Sequence, residues 1–173
     1  MSLHLLVPGP FDAISGGYIY DRRMVEGLRA LGETVEVVEL PGSHPAPDEA
    51  ATEGARAALH ALPAGARIVI DGLGLPAFLP LAQELAERRA VALIHHPTAL
   101  EHGVPEAART VLKAKERALF GAMARIVCTS PLTARRLPEE FGADPTRIGV
   151  VEPGTDAATR AAGSGGPGCA ILS

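Results

Sequence analysis

The sequence predicts an α/β protein with a Rossmann-like, doubly wound parallel sheet and helices on both faces. Three observations support this fold class. Short β-rich runs alternate with helical segments, as a parallel sheet with crossover helices requires. The runs are apolar at both even and odd positions, which is typical of strands covered on both faces. The first run leads through a glycine-containing loop into a helix.

The predicted strands are runs in which apolar and β-branched residues cluster between turn signals. In chain order they cover residues 3–7, 34–40, 67–71, 90–94, 125–129 and 147–151. Cys128 falls in the fifth run and is expected to be buried. Because Cys169 lies apart in a glycine-rich tail, the cysteines predict neither a disulfide framework nor a zinc site.

Helical signals fill the segments between these runs. Helices are predicted over residues 18–31 and 48–62, from Pro76 onwards, from Pro105 to about Met123, and from Pro131 with Ser130 as its N-cap. The first is expected to bury Met24, Val25, Leu28 and Leu31 and to end at Gly32, and the last to bury Leu132, Leu137 and Phe141.

Size and composition exclude several classes of protein. A chain of 173 residues suits one domain with a sizeable core. A net charge of -4, scattered basic residues and 3% aromatic residues argue against a nucleic-acid partner and against base-stacking platforms. The N-terminus has no secretory pattern and no apolar stretch reaches the length of a spanning helix, so the protein is expected in the cytoplasm.

The loop after the first strand ends in Gly16 and Gly17, directly before the first helix. Two adjacent glycines allow a close backbone approach, and the free N–H groups of a starting helix favour an anion. A phosphate or carboxylate ligand is therefore one interpretation. The other is that the two glycines only make the turn, and the pair alone does not decide between them.

Four segments should meet at the carboxyl ends of the strands, where ligands of open parallel sheets bind. They are residues 9–17, 71–75, 95–103 and 129–130. Together they supply backbone amides, the carboxylate of Asp71, the imidazoles of His95 and His96, and two hydroxyl groups. After Val151 the pattern changes, so residues 1–156 are expected to form the domain. Residues 157–173 are expected to be a flexible linker and the truncated start of a second domain.

The chain resembles the N-terminal half of group 1 glycosyltransferases, which have the GT-B fold and use nucleotide-sugar donors. The matching features, in chain order, are the Gly16-Gly17 helix, the run from Gly32 to Val37, Ile94-His95-His96-Pro97, Val127-Cys128-Thr129-Ser130 and the run from Val151 to Asp156. They extend over almost the whole sequence.

This resemblance implies a first domain that holds the acceptor and a second that holds the donor nucleotide. The reaction would transfer a glycosyl group from a nucleotide sugar to an acceptor hydroxyl with retention of anomeric configuration, without a metal or a cofactor. Its partners would be the nucleotide sugar, an unidentified acceptor and its own missing C-terminal donor domain. The chain alone is expected to be catalytically incomplete.

The resemblance also implies roles for individual residues. Gly16 and Gly17 would approach the donor diphosphate, where their amides can stabilise the departing group. His95 would contact the transferred sugar. Because side chains of a strand alternate between faces, only one of His95 and His96 is expected to face the cleft, and His95 is the choice.

The candidate acceptor-binding residues are Asp12, Asp71, His96 and Glu101. Asp71 can equally cap the turn that follows it. The carboxylates among these candidates have no spacing that assigns a nucleophile pair of the glycosidase type. His95, His96 and His102 lack the spacing of a metal site, so no metal is expected.

A basic stripe lies on the long helix after Pro105, at Arg109, Lys113 and Arg117. It is expected to be a solvated face paired with Glu106 and Glu116, in preference to a peripheral contact with anionic lipid.

Two other functions compete with glycosyl transfer. Glu39 ends the second strand roughly 20 residues after the glycine pair, as a ribose-binding acid of a dinucleotide site would. Against this, the loop from Gly9 to Gly17 is too long for the compact three-glycine turn. The third possibility is a non-catalytic module that binds a small ligand or a partner.

Overall fold

A computed structural model describes residues 2–160 and residue 163. Its centre is a sheet of 6 parallel strands in the order β2-β1-β3-β4-β5-β6. The strands are β1 (Leu3–Pro8), β2 (Val35–Leu40), β3 (Arg67–Asp71), β4 (Val91–Ile94), β5 (Arg125–Cys128) and β6 (Ile148–Val150). Each lies within about one residue of its predicted position, and the predicted α/β class is confirmed.

Helices cover the connections between these strands. They are α1 (Gly16–Ala30), α2 (Glu49–Ala61), α3 (Ala82–Glu87), α4 (Glu106–Ala122) and α5 (Pro131–Phe141). Short 3₁₀ segments occupy Leu75–Leu81, Thr98–Leu100 and Pro145–Arg147. The helix predicted from Pro76 is thus a 3₁₀ segment followed by α3, because Pro80 has no N–H for a regular α-helical hydrogen bond.

Two apolar clusters lie on opposite faces of the sheet. On one face, Leu5 and Val7 of β1 pack against Val25 of α1. On the other face, Leu6 joins a larger cluster to which α2, α4, α5 and the 3₁₀ segment Leu75–Leu81 contribute. This alternation along β1 confirms the prediction that the strands are covered on both faces.

Two predicted positions on helix faces are wrong. Leu31 is 82% exposed because α1 ends at Ala30, which makes Leu31 the C-cap. Leu132 is 57% exposed, and Thr133 takes the buried place instead. Thr133, Leu137 and Phe141 follow one another every four residues, so the buried stripe of α5 begins one residue later than predicted.

The segment after β6 contacts α1. The hydroxyl of Tyr20 donates a hydrogen bond to the carbonyl of Val151 over 2.9 Å. Arg23 forms an ion pair with Asp156 over 2.6 Å. The predicted linker and new strand beyond residue 156 lie largely outside the described residues. Within the described part of the chain, no helix is long and apolar enough to cross a membrane.

The sheet order places a crevice between β1 and β3. From β1 the chain passes to β2 on one side, whereas β3 and the later strands lie on the other side. Loops therefore diverge at the carboxyl ends of β1 and β3, which is where doubly wound sheets bind their ligands. Pro8 ends β1 here, and Asp71 ends β3.

Candidate functional site

A cavity of about 340 Å³ opens at this crevice. Its walls come from the start of α1 and from the loops after β2, β3 and β4: Ser15, Gly17, Tyr18, Asp21, Pro45, Asp71, Gly72, Leu73, His95, His96, Thr98 and Glu101. A wider groove of about 1220 Å³ lies elsewhere on the molecule and includes Leu3, Arg67 and Val91, which begin their strands. We assign the functional site to the smaller cavity because it holds the carboxyl strand ends and the clustered titratable groups.

Asp21, Asp71 and His95 form the floor of this cavity. The Nε2 atom of His95 lies 3.0 Å from Oδ1 of Asp21 and 3.5 Å from Oδ2 of Asp71. The two carboxylates are almost inaccessible, at 1% and 4% exposed, whereas the His95 side chain keeps 26% of its surface exposed. The imidazole thus lies against two nearly inaccessible acids at the cavity floor.

Asp21 was not among the residues predicted for the site. It lies on α1, four residues before the buried Val25, and it contacts His95 from 74 positions away in the chain. The sequence does contain a signal for it. An aspartate on the apolar face of an amphipathic helix needs a partner, because an unpaired buried charge is costly.

The neighbouring charges shift the pKa values of this cluster. Burial, followed by the repulsion from Asp21, raises the pKa of Asp71 to about 6. For His95, burial acts to lower the pKa, but the hydrogen bond with Asp21 and the charges of Asp21 and Asp71 outweigh it and raise the pKa above its usual value. The imidazole therefore favours its protonated form more than an exposed histidine does.

Three neighbours surround His95. The ring of Tyr20 packs edge-on against the imidazole at a centroid distance of 5.3 Å. The hydroxyl of Thr133 donates a hydrogen bond to the backbone carbonyl of His95 over 3.3 Å. Gly17 faces the ring so closely that a Cβ there would lie 3.4 Å from Cδ2. No hydrogen bond joins Nδ1 to any residue that the structure describes, so this atom is available to a ligand.

The N-terminus of α1 lies beside the imidazole. Ser15 is its N-cap, and its hydroxyl accepts a hydrogen bond from the amide of Tyr18 over 3.3 Å. Within the described chain, the amides of Gly16 and Gly17 have no protein acceptor. Of the two glycines, Gly17 lines the cavity. The geometry leaves these donors free to meet a ligand oxygen.

The other predicted site residues divide into two groups. Asp71, His96 and Glu101 line the cavity, whereas Asp12 is exposed and lies outside it. Asp71 also accepts a hydrogen bond from the amide of Leu73 over 2.9 Å, so it caps the turn as well. The prediction that only one of His95 and His96 faces the cleft is wrong. Both line the cavity, because β4 ends at Ile94, before the strand alternation would separate them.

The set of residues that could bind a divalent cation is not the set of three histidines, His95, His96 and His102, that the sequence analysis considered. Among the described residues, ligand atoms of Asp21, Asp71 and His95 lie within 4.8 Å of one another. Carboxylate and imidazole groups are suitable ligands for transition metals. In the structure, the hydrogen bond between Asp21 and His95 uses two of these ligand atoms.

Glu116 of α4 supports the wall of the cavity. It is 6% exposed, and its carboxylate accepts hydrogen bonds from the amides of Thr98 over 2.6 Å and Ala99 over 3.1 Å. The expectation that Glu116 pairs with the basic stripe on a solvated face is therefore wrong. It anchors the 3₁₀ segment between His96 and Glu101 instead.

Two residues of the basic stripe have acidic partners, one of which is the predicted Glu106. Arg109 lies 3.6 Å from Glu106, and Lys113 lies 2.7 Å from Glu140 of α5. Arg109 and Lys113 are half-buried and Arg117 is exposed, so the stripe is only partly solvated.

Comparison with known families adds to this geometry. A family model described as Glycosyltransferase Family 4 matches residues 14–159, from just before the glycine pair to the segment after β6. The chain belongs to glycosyltransferase family 4. Membership confirms the resemblance to the N-terminal domain of group 1 glycosyltransferases. No curated protein gives a significant match.

Burial of the Asp71 carboxyl group lowers the unfolding free energy of the family 4 domain by an amount that depends on pH. Because the folded state raises this pKa to about 6, the folded protein binds this proton more tightly than the unfolded chain, and the contribution of Asp71 to stability falls as pH rises from about 4 to 6. We expect Asp71→Asn to remove this fall. Relative to the wild type, the variant should gain roughly 1–3 kcal/mol of unfolding free energy between pH 4 and pH 7.

Urea denaturation at several pH values measures this gain. The matched control is Asp12→Asn, which replaces an exposed carboxylate outside the cavity. A control with the same pH-dependent gain as Asp71→Asn would contradict the assignment to the buried site.

Proposed function

We propose that this family 4 domain is the acceptor-side half of a retaining glycosyltransferase that uses a nucleotide-sugar donor. The observation that carries the proposal is the position of His95. Its imidazole is held by two buried carboxylates at the floor of the cavity, beside the free amides of Gly16 and Gly17. The acceptor would occupy the cavity, and the donor would approach from a second domain across its opening.

His95 would bind and orient the transferred sugar. With Nε2 directed at Asp21 and Asp71, the Nδ1 atom is left to meet a sugar hydroxyl. Protonated, it donates a hydrogen bond at a fixed position, which is the kind of preorganised contact that lowers a barrier. The amides of Gly16 and Gly17 would receive the negative charge that develops on the leaving diphosphate.

The two buried carboxylates would not act as nucleophiles. Both contact the imidazole, and less than a twentieth of either residue is exposed. A double-displacement mechanism needs a carboxylate that can reach the anomeric carbon. We therefore propose retention without a covalent enzyme intermediate and with no cofactor other than the donor substrate.

The test uses the protein recovered from its own cells, together with any chain that copurifies. Its intact mass is compared with the 17.9 kDa of this sequence, and a panel of nucleotide sugars is screened for release of nucleoside diphosphate. We expect release with at least one donor, with retained configuration in the product. Absence of turnover with every donor class would overturn the proposal.

Gly17→Ala offers a more local test of the glycine loop. A methyl group there would lie 3.4 Å from His95 and would occupy the space proposed for the ligand. We expect transfer to fall about tenfold or more, as for the loss of a well-placed contact. The fold should tolerate the change because alanine is the better helix former by about 1 kcal/mol.

Gly27→Ala is the matched control for this variant. Gly27 lies on the same helix, and a Cβ there would meet nothing within 4 Å. It should gain similar stability and keep full activity, as measured by thermal melts and initial rates. Equal activity of the two variants would mean that Gly17 only makes the turn.

A further inference from the structure

The cavity wall is rich in acidic groups. Three acidic residues line it: Asp21 and Asp71 at its floor, both nearly inaccessible, and the exposed Glu101. Its remaining titratable residues are Tyr18 and the imidazoles of His95 and His96, and its described lining contains neither lysine nor arginine. An anionic ligand usually finds a guanidinium or an ammonium group in its site.

The nearest arginines on α1 have other partners. Arg22 donates to the backbone carbonyls of Phe11 over 2.7 Å and Ala13 over 3.0 Å, so it stabilises the loop after β1. Arg23 is bound to Glu26 and Asp156 on the outer side of the helix. Neither residue contributes to the lining of the cavity.

The positive charge of a protonated His95 does not offset the excess of acidic groups in the cavity lining. Its imidazole lies 3.0 Å from one carboxylate and 3.5 Å from another, so its charge is used within the cluster. His96 lies near Glu116, the buried acid beneath the 3₁₀ segment. Glu101 then adds an exposed carboxylate at the cavity wall.

We propose that this cavity selects acceptors by charge, and that it takes a small polyol bearing a protonated amine in preference to a phosphorylated or carboxylated one. The inference rests on the proposed function, since it takes the cavity as the acceptor site. The volume of about 340 Å³ lies at the lower end of the roughly 300–1,000 Å³ typical of ligand pockets, which suits one small ring.

The donor diphosphate does not conflict with this selectivity. Gly16 lies outside the lining of the cavity, and its free amide belongs to the positive end of α1. A phosphate can therefore meet the helix end at the opening, while the acidic floor disfavours a second anion deeper inside.

A matched set of sugars tests the charge preference on the full 173-residue chain. Three ligands share one ring and differ at one position: 6-amino-6-deoxyglucose, glucose and glucose 6-phosphate. A second set on galactose repeats the series. Each ligand is titrated to tens of millimolar while the His95 ring resonances are followed by NMR. We expect the amine to bind at least about tenfold more tightly than the phosphate in each set, with the neutral sugar between them.

Glu101→Gln should narrow the ratio of amine to phosphate affinity, because it removes the exposed carboxylate of the wall. Glu139→Gln is the control, since it makes the same charge change on the exposed face of α5, outside the cavity. Phosphate binding as tightly as the amine would overturn the charge preference, as would an equal effect of the two variants.

Absence of His95 shifts with every ligand would overturn the cavity as a small-acceptor site. Both outcomes are read from ligand binding alone, without turnover of a nucleotide-sugar donor. Failure of the charge preference is therefore distinguishable from failure of the proposed transferase function, which the nucleotide-sugar screen decides separately.

Discussion

Replacing His95 with alanine is expected to reduce glycosyl transfer at least about 100-fold, which is the usual cost of removing one preorganised donor from a transition state. The variant loses the imidazole that contacts both buried acids at the floor of the cavity. It should lower kcat more than it raises KM, because the contact strengthens as charge develops.

The same substitution leaves Asp21 and Asp71 without their cationic partner. We expect the unfolding free energy at pH 7 to fall by about 1–3 kcal/mol, the usual cost of an unsatisfied buried group. His95→Gln can restore one hydrogen bond and should recover part of the stability but little of the activity. Rates and urea denaturation curves on the same preparations separate the two effects.

His102→Ala is the matched control for this prediction. His102 is exposed and does not line the cavity, although it follows His95 by only a few residues. It should retain wild-type activity and stability. Similar losses in both alanine variants would remove His95 from its proposed role.

Phe78→Ala is expected to lower the unfolding free energy by about 3–5 kcal/mol, as is typical of deleting a large buried aromatic side chain. Phe78 is 0% exposed and belongs to the larger apolar cluster. It lies on the 3₁₀ segment Leu75–Leu81, whose irregular backbone leaves little freedom to close the resulting void.

Urea denaturation measures this loss, with Val111→Ala as the control. Val111 lies on α4 and is 54% exposed, so its truncation should change stability by no more than about 0.5 kcal/mol. A loss below about 1 kcal/mol for Phe78→Ala would show that this segment is not part of the stabilising core.

The strands were predictable because burial on both faces leaves a continuous apolar run. Val91, Leu93 and Ile94 illustrate this, since β4 offers no polar side chain to either face. Gly17 and His95 could also be placed at this edge of the sheet from the sequence, because they lie directly beside predicted strand and helix ends. Their proximity in space follows from the parallel order of the strands.

Asp21 and Glu116 were missed for a common reason. Each is a buried acid on a helix, and its partners lie far away in the chain, at His95 for Asp21 and at Thr98 for Glu116. Helical periodicity marks the positions that face inward, but it does not say which element lies opposite. A charged residue at such a position is therefore assigned to solvent unless its partner is known.

The helix faces were misplaced where the ends of the helices were uncertain. Leu31 fits the apolar period of α1, but the helix ends one residue before it. Whether a terminal residue is buried depends on the direction that the chain takes after the cap, and local sequence does not determine that direction.

The contacts of Tyr20 with Val151 and of Arg23 with Asp156 join α1 to the segment after β6. The same helix carries Gly17 and Asp21, which line the cavity. One helix is therefore common to the site and to the segment by which the chain leaves the sheet.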